Sequence, residues 1–163
     1  MSAETTATPD PTKTLDRSKA LLSELLGKMG LSAEVVAKED ADRVTLEVTG
    51  AETNIVIGKK GQTLDAIQYL VNKITSQGQA EGSGKPVQVD AEGYRDRRAE
   101  VLVELANKLA EKVRSTGRPV EMDPMSPGER RVVHVTLAEQ PDLETRSEGE
   151  GIYRHLVIFP KKA

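Results

Sequence analysis

Apolar positions recur along the chain with two periods, and the switches between them mark its elements. Leu22, Leu25, Leu26 and Met29 fall at spacings of three and four, and Gly30 interrupts them, which predicts an amphipathic helix over roughly 16–29. Ala33, Val35 and Ala37 then alternate with polar residues, as do Val44, Leu46 and Val48, giving two strands of a hairpin turned near Glu39–Asp42. A short apolar segment, Asn54–Ile57, runs into Gly58-Lys59-Lys60-Gly61. From Gln62 the helical period returns, with Leu64, Ile67, Leu70, Val71 and Ile74 on one predicted face. Gly78–Lys85 reads as a flexible loop, and Val87 and Val89 mark a short strand ending near Asp90.

A longer helix is predicted from about Gly93 to Thr116, with Val101, Leu102, Leu105, Leu109 and Val113 as its core stripe and Gly117 as its stop. Val120–Met122 is a brief strand. Ser126-Pro127-Gly128-Glu129 has the form of a capping box with proline at the first helical position, opening a helix to about Ala138. Leu143–Ser147 and Ile152–Phe159 are strands joined through Gly149-Glu150-Gly151. The order is α-β-β-α-α-β followed by α-β-α-β-β, an α+β chain of two domains with a boundary near 90–92. Residues 1–14 hold five Thr, two Pro and almost nothing apolar, so they are expected to form a disordered tail.

Composition narrows the function. The 163 residues carry 23 Lys+Arg against 26 Asp+Glu, a formal charge of −3, so any contact with a polyanion must be a local patch. The absence of Cys removes disulfides, thiolate zinc sites and cysteine nucleophiles together. His134 and His155 are the whole histidine complement, too few for a His-rich metal centre. Tyr69, Tyr94, Tyr153 and Phe159 are the only aromatics, which argues against a sheet that stacks bases on rows of rings. With no long apolar run and no signal-peptide layout at the start, no membrane insertion is expected and the cytoplasm is the default compartment.

Two constellations carry candidate chemistry. Gly58 and Gly61, three apart at a helix–helix corner, let a backbone approach closely because no Cβ intervenes. The helix that follows points its free N–H groups and positive end at the same spot. Lys59 and Lys60, held between the glycines, project as phosphate-reaching cations. The alternative is an ordinary glycine-bounded turn with solvated lysines. In the second constellation, Arg130 and His134 stand four apart and so share a helix face. A guanidinium fork beside an imidazole makes a compact phosphate site, against the alternative of a solvated basic face.

The first constellation in its α-β-β-α-α-β surround resembles the KH domain of type II, over about residues 15–90. In that family the G-x-x-G loop clamps the backbone of about four nucleotides of single-stranded RNA or DNA. The resemblance makes Gly58, Lys59, Lys60 and Gly61 the clamp. It puts Ile57, Leu64 and Ile67 at the floor of the base groove, where a plain core role is equally open. Residues 91–163 resemble the R-three-H domain, a single-stranded nucleic-acid binder of helices on a small three-stranded sheet. Arg130 and His134 map onto its defining pair, with Arg131, Arg95 and Arg98 as helper cations.

The two domains in this order resemble the Jag family, also called the SpoIIIJ-associated or KhpB/EloR proteins. Gly58–Val71, Gly93–Arg98 and Pro124–His134 are the most specific segments. The resemblance does not include that family's small N-terminal Jag domain, and roles that depend on it are not carried over. What it implies is a bacterial cytoplasmic RNA-binding protein and RNA chaperone that pairs with a small single-KH protein and influences cell elongation and envelope synthesis. The alternative is an interaction scaffold for that KH partner, with RNA binding secondary. No cofactor and no catalysis are expected. Gly82-Ser83-Gly84-Lys85 lacks the Ser/Thr of a phosphate loop, no Gly-x-Ser-x-Gly elbow exists, and His155 reads as a partly buried structural residue. A ribonuclease using His134 is the enzyme reading set against these.

Overall fold

Each amphipathic segment finds its partner surface in one of two separate cores. The computed structural model describes residues 11–77 and 84–161, so residues 1–10 of the expected tail and most of the expected Gly78–Lys85 loop lie outside the described residues. The chain divides into two compact units, the first ending at Tyr94 and the second beginning at Arg95.

The first unit contains α1 (Pro11–Lys28), β1 (Glu34–Glu39), β2 (Val44–Thr49), α2 (Thr53–Ile57), α3 (Gln62–Thr75) and β3 (Val87–Ala91). This is the α-β-β-α-α-β order expected of a type II KH domain. The helix begins at Pro11 rather than near residue 16, and Thr14, assigned from sequence to the tail, is buried. Proline is well suited to a first helical turn, where its missing N–H costs nothing. β2 is the central strand, antiparallel to β1 in the register Val35↔Val48 and parallel to β3 in the register Leu46↔Val89. Val44, Leu46 and Val48 alternate into the core against Leu22 and Leu26 of α1 and Leu64, Ile67 and Val71 of α3.

α3 corrects the sequence phase. Its inward residues are Leu64, Ile67, Val71 and Thr75, while Leu70 and Ile74 are exposed. Two polar residues explain the rotation. Asn72 Nδ2 donates to the Val87 carbonyl at 2.6 Å, its Oδ1 accepts from Val87 N–H at 2.8 Å, and Gln68 Oε1 accepts from Val89 N–H at 2.9 Å. Side-chain amides thus take up the backbone groups of edge strand β3 that β2 leaves unpaired.

The second unit contains α4 (Tyr94–Thr116, whose first residue closes the first unit), β4 (Val120–Glu121), α5 (Pro127–Ala138), β5 (Leu143–Glu148) and β6 (His155–Pro160). Its sheet has the order β4-β6-β5, antiparallel throughout. The core is Leu102, Ala106, Ala110 and Val113 of α4, Val133 and Leu137 of α5, and Leu143, Leu156 and Ile158 of the sheet. The predicted stripe is therefore displaced: Val101 and Leu105 are exposed, and Ala106 and Ala110 are fully buried. Tyr153, inside the predicted strand Ile152–Phe159, lies instead in a single 3₁₀ turn, Gly151–Tyr153, and is exposed.

The capping box is present as spelled. Glu129 N–H donates to Ser126 Oγ at 3.3 Å and Ser126 N–H donates to Glu129 Oε2 at 2.8 Å. The other carboxylate oxygen, Oε1, accepts from Arg98 Nε at 2.7 Å, which ties α4 to the start of α5. Ser126→Ala should cost about 1 kcal/mol, and Glu129→Ala should cost more, because it also strands the partly buried Arg98. Hydrogen exchange of the α5 amides reads both.

The β1–β2 turn supplies a pH-dependent counterpart. Asp40 Oδ1 accepts from the N–H groups of Asp42 and Arg43, both at 2.9 Å. These two bonds, first Asp42 and then Arg43, hold the Asp40 carboxyl below the usual carboxylate range. A folded-state value below the unfolded one means the stabilisation is complete above the unfolded pKa and disappears as pH falls through the lower, folded one. Acid titration followed by NMR should therefore show the Asp42 and Arg43 amides released only below the range of ordinary aspartates. Asp40→Asn, which keeps the acceptor oxygen, should remove the transition.

Candidate nucleic-acid interface

α2 ends at Gly58, whose φ of 67° and ψ of −168° belong to a region only glycine enters readily. A Cβ there would overlap the Thr63 side chain, so geometry and space both exclude any other residue. Lys60 follows in the left-handed region at φ 52°, ψ 33°, and Gly61 at φ 79°, ψ 6°. A Cβ on Gly61 would come within 2.8 Å of Tyr94 Cε1. Three positive φ angles in four residues turn the chain from α2 into α3, and a left-handed non-glycine costs about 1–2 kcal/mol.

The turn leaves the two lysines exposed while Gly61 itself is buried. Gly61 is also the N-cap of α3, and no side chain caps that end. The first-turn N–H groups and the positive end of the helix dipole therefore sit beside Lys59 and Lys60. Such a corner can hold a phosphate from two directions, by backbone donors and by ammonium groups.

The residues expected at a groove floor divide. Ile57 is half-buried, but Leu64 is fully buried and Ile67 is 3% exposed, so both are core residues that no base can reach. The apolar surface near the loop comes instead from Ile55, which is 48% exposed on α2. Periodicity identified Leu64 and Ile67 as apolar but could not say how deep the core lay beneath them.

In the second unit Arg130 and His134 share a face of α5, one turn apart. Arg130 Nη1 donates to the Met125 carbonyl at 2.9 Å. Burial first, and then the charge of Arg154, pull the Arg130 guanidinium below its ordinary value, though it stays ionised. His134 Nδ1 shares a hydrogen bond with Thr145 Oγ1 of β5 at 2.5 Å, which makes Nε2 the ring nitrogen without a partner among the described residues. The imidazole is thereby oriented by the sheet and exposed to solvent.

The helper cations fare differently. Arg131 is exposed but lies about 100° around the helix from Arg130. Arg95 is half-buried in the first turn of α4. Arg98 is not a spare cation at all, because Glu129 holds it in a partly buried ion pair. His155 is half-buried, with Nδ1 3.0 Å from the Tyr153 carbonyl. Sequence reasoning missed Thr63, Tyr94, Thr145 and Arg154, the last three brought to these sites by tertiary contacts that no local spacing encodes.

Comparison with known proteins agrees with this division. Residues 19–89 match the KH domain of KhpA/KhpB, and residues 100–160 match the R-three-H domain. The RNA-binding protein KhpB of Clostridium symbiosum is 35% identical over 149 residues, covering 90% of this chain and 66% of that protein. The RNA-binding protein KhpB of Bacillus subtilis (strain 168) is 35% identical over 150 residues, covering 91% of this chain and 71% of its own length. That of Lactiplantibacillus plantarum is 33% identical over 147 residues, with 88% of this chain matched to 45% of the relative. The chain thus spans about two thirds of the first relative and less than half of the third. A KhpA/KhpB-type KH domain followed by an R-three-H domain, with this identity along most of its length, places the chain in the KhpB family.

Proposed function

We propose that the chain binds single-stranded RNA through two cationic sites, the Gly58–Gly61 loop and the Arg130/His134 face, without catalysing a reaction on it. The observation that carries this reading is the loop itself. Two glycines are held where Thr63 and Tyr94 leave no room for a Cβ, and the turn they make presents Lys59 and Lys60 beside an uncapped helix end. A core turn has no need of that combination, whereas a sugar-phosphate backbone uses every part of it. The naming of KhpB relatives as RNA-binding proteins supports the same assignment.

Arg130 and His134 supply a second phosphate contact. Arg95 and Arg131 add charge in the same unit, and Arg98 acts indirectly by holding the cap of α5. A four-nucleotide clamp cannot admit paired bases, so single strands are the substrate and duplex is excluded. RNA chaperone activity, a cytoplasmic setting and a role in cell elongation and envelope synthesis extend the proposal on the family resemblance. A scaffold that pairs with a small single-KH protein is the second reading. It is favoured by Tyr69, Leu70 and Ile74, three apolar side chains that α3 turns to solvent.

Lys59→Asp with Lys60→Asp should weaken binding of a labelled single-stranded RNA strongly while the fold persists, since exposed positions shift stability by only about 0.5 kcal/mol each. A folded double variant with unchanged affinity would remove the loop from the mechanism. Under the scaffold reading the same variant keeps its KH partner. Affinity of the unaltered chain should fall with salt at a log–log slope of about −0.7 per phosphate, roughly −3 for four contacts; a salt-independent complex would point to protein pairing.

The Arg130/His134 face makes a separate prediction. Arg130→Ala should weaken RNA binding at every pH, because a guanidinium stays charged throughout. His134 offers its exposed ring beside that guanidinium, so His134→Ala should weaken binding as well and His155→Ala should not. Binding titrations with a labelled single-stranded RNA decide it, and an affinity indifferent to His134 would discard the histidine contact.

A further inference from the structure

Among the described residues, the two most exposed large apolar side chains are neighbours in the 3₁₀ turn between β5 and β6: Ile152 at 79% and Tyr153 at 73%. Neither packs into the core of the second unit. The next residue, Arg154, is exposed as well, and its backbone is pinned. Met125 N–H donates to the Arg154 carbonyl at 3.2 Å, and the Met125 carbonyl accepts from Arg130 Nη1 at 2.9 Å. One residue, Met125, therefore holds the Arg130 guanidinium and the Arg154 backbone together.

No carboxylate is ion-paired with either arginine among the described residues. Glu148, at the end of β5, and Glu150, in the connection, are exposed and pair with neither. Two like charges kept within reach of each other, one of them half-buried, raise the energy of the free protein unless an anion joins them. Tyr153, next to Arg154 in the chain and with its ring bare to solvent, adds an aromatic face to the same turn. A compact anion would have no use for the ring, and an apolar peptide would have no use for two guanidinium groups.

We propose that Arg154 and Tyr153 complete a one-nucleotide site in the second unit, in which Arg130 and Arg154 clamp a phosphate and the Tyr153 ring stacks on a neighbouring base. The site deepens the single-stranded RNA reading above and rests on it. Planar guanidinium forks suit phosphate oxygens, and a tyrosine face accepts any base, so this contact adds affinity with little sequence preference. One ring suffices for one base, which is consistent with a chain so poor in aromatics.

The test uses the full chain and two probes, a labelled oligo-uridine strand and an abasic strand of the same length. Tyr153→Ala should weaken oligo-uridine binding about tenfold, as loss of one stacked base does, and leave abasic binding within twofold. Tyr153→Phe should restore it. Arg154→Gln should weaken both probes and make the salt slope shallower by about 0.7. Circular dichroism melting should be unchanged for all three, since both side chains are exposed. If oligo-uridine binds and responds to Lys59/Lys60, yet the Tyr153 and Arg154 variants bind like the parent, this site is wrong and the RNA reading stands. If Tyr153→Ala weakens both probes equally, the ring does not stack, and the base contact is overturned. A parent chain that binds neither probe overturns both the RNA reading and this site.

Discussion

Two side-chain amides hold the first unit in its working form. Asn72 and Gln68 bind the free backbone edge of β3, so α3 is fixed in position and in rotation against a strand that would otherwise expose its hydrogen-bonding groups. Everything at the loop follows from that rotation. Leu64, Ile67 and Val71 are driven inward, the N-terminus of α3 is set at Gly61, and the turn from α2 must close in four residues. Closure that tight needs positive φ at Gly58 and Gly61, and Thr63 and Tyr94 fill the space where Cβ atoms would stand. The exposed lysines are what remains of the turn once its inner side has been filled.

The second unit uses one carboxylate in the same way. Glu129 answers the Ser126 N–H with one oxygen and Arg98 with the other, so the start of α5 is capped and anchored to α4 by a single side chain. Arg130, the next residue, inherits a fixed position from that cap. It bonds back to the Met125 carbonyl, and Thr145 fixes the ring of His134 from the sheet. Both cationic sites are thus built where a helix begins, α3 with an end that no side chain caps and α5 with one that Ser126 and Glu129 cap.

What the sequence showed clearly was local. The hairpin alternation, Gly58-Lys59-Lys60-Gly61, the Ser126–Glu129 box and the order of elements all follow from residues within a few positions of one another. What it hid depended on distant neighbours. The inward stripe of α4 runs through Leu102, Ala106, Ala110 and Val113 rather than Val101 and Leu105, a choice of face made by what packs against the helix and not by its local period. Arg98 looked like a spare cation because Glu129 lies 31 residues away. Arg154 escaped notice for a similar reason: its link to Arg130 runs through Met125, in a different segment of the chain.

A chain of net charge −3 that contacts a polyanion needs its cations distributed selectively, and the ion pairs show how this is done. Arg98, Arg114 and Lys85 are matched with Glu129, Asp142 and Glu39 across the fold, and Arg146 with Glu144 within β5, so each of these charges is offset locally. Lys59, Arg130, Arg131 and Arg154 have no such partner among the described residues. Screening in about 0.1 M salt limits the reach of a charge to roughly 10 Å. A phosphate arriving at either site therefore responds to the unmatched cations beside it and hardly at all to the acidic total. The division of labour between matched and unmatched cations, rather than the sum of charges, is what suits an acidic protein to an acidic ligand.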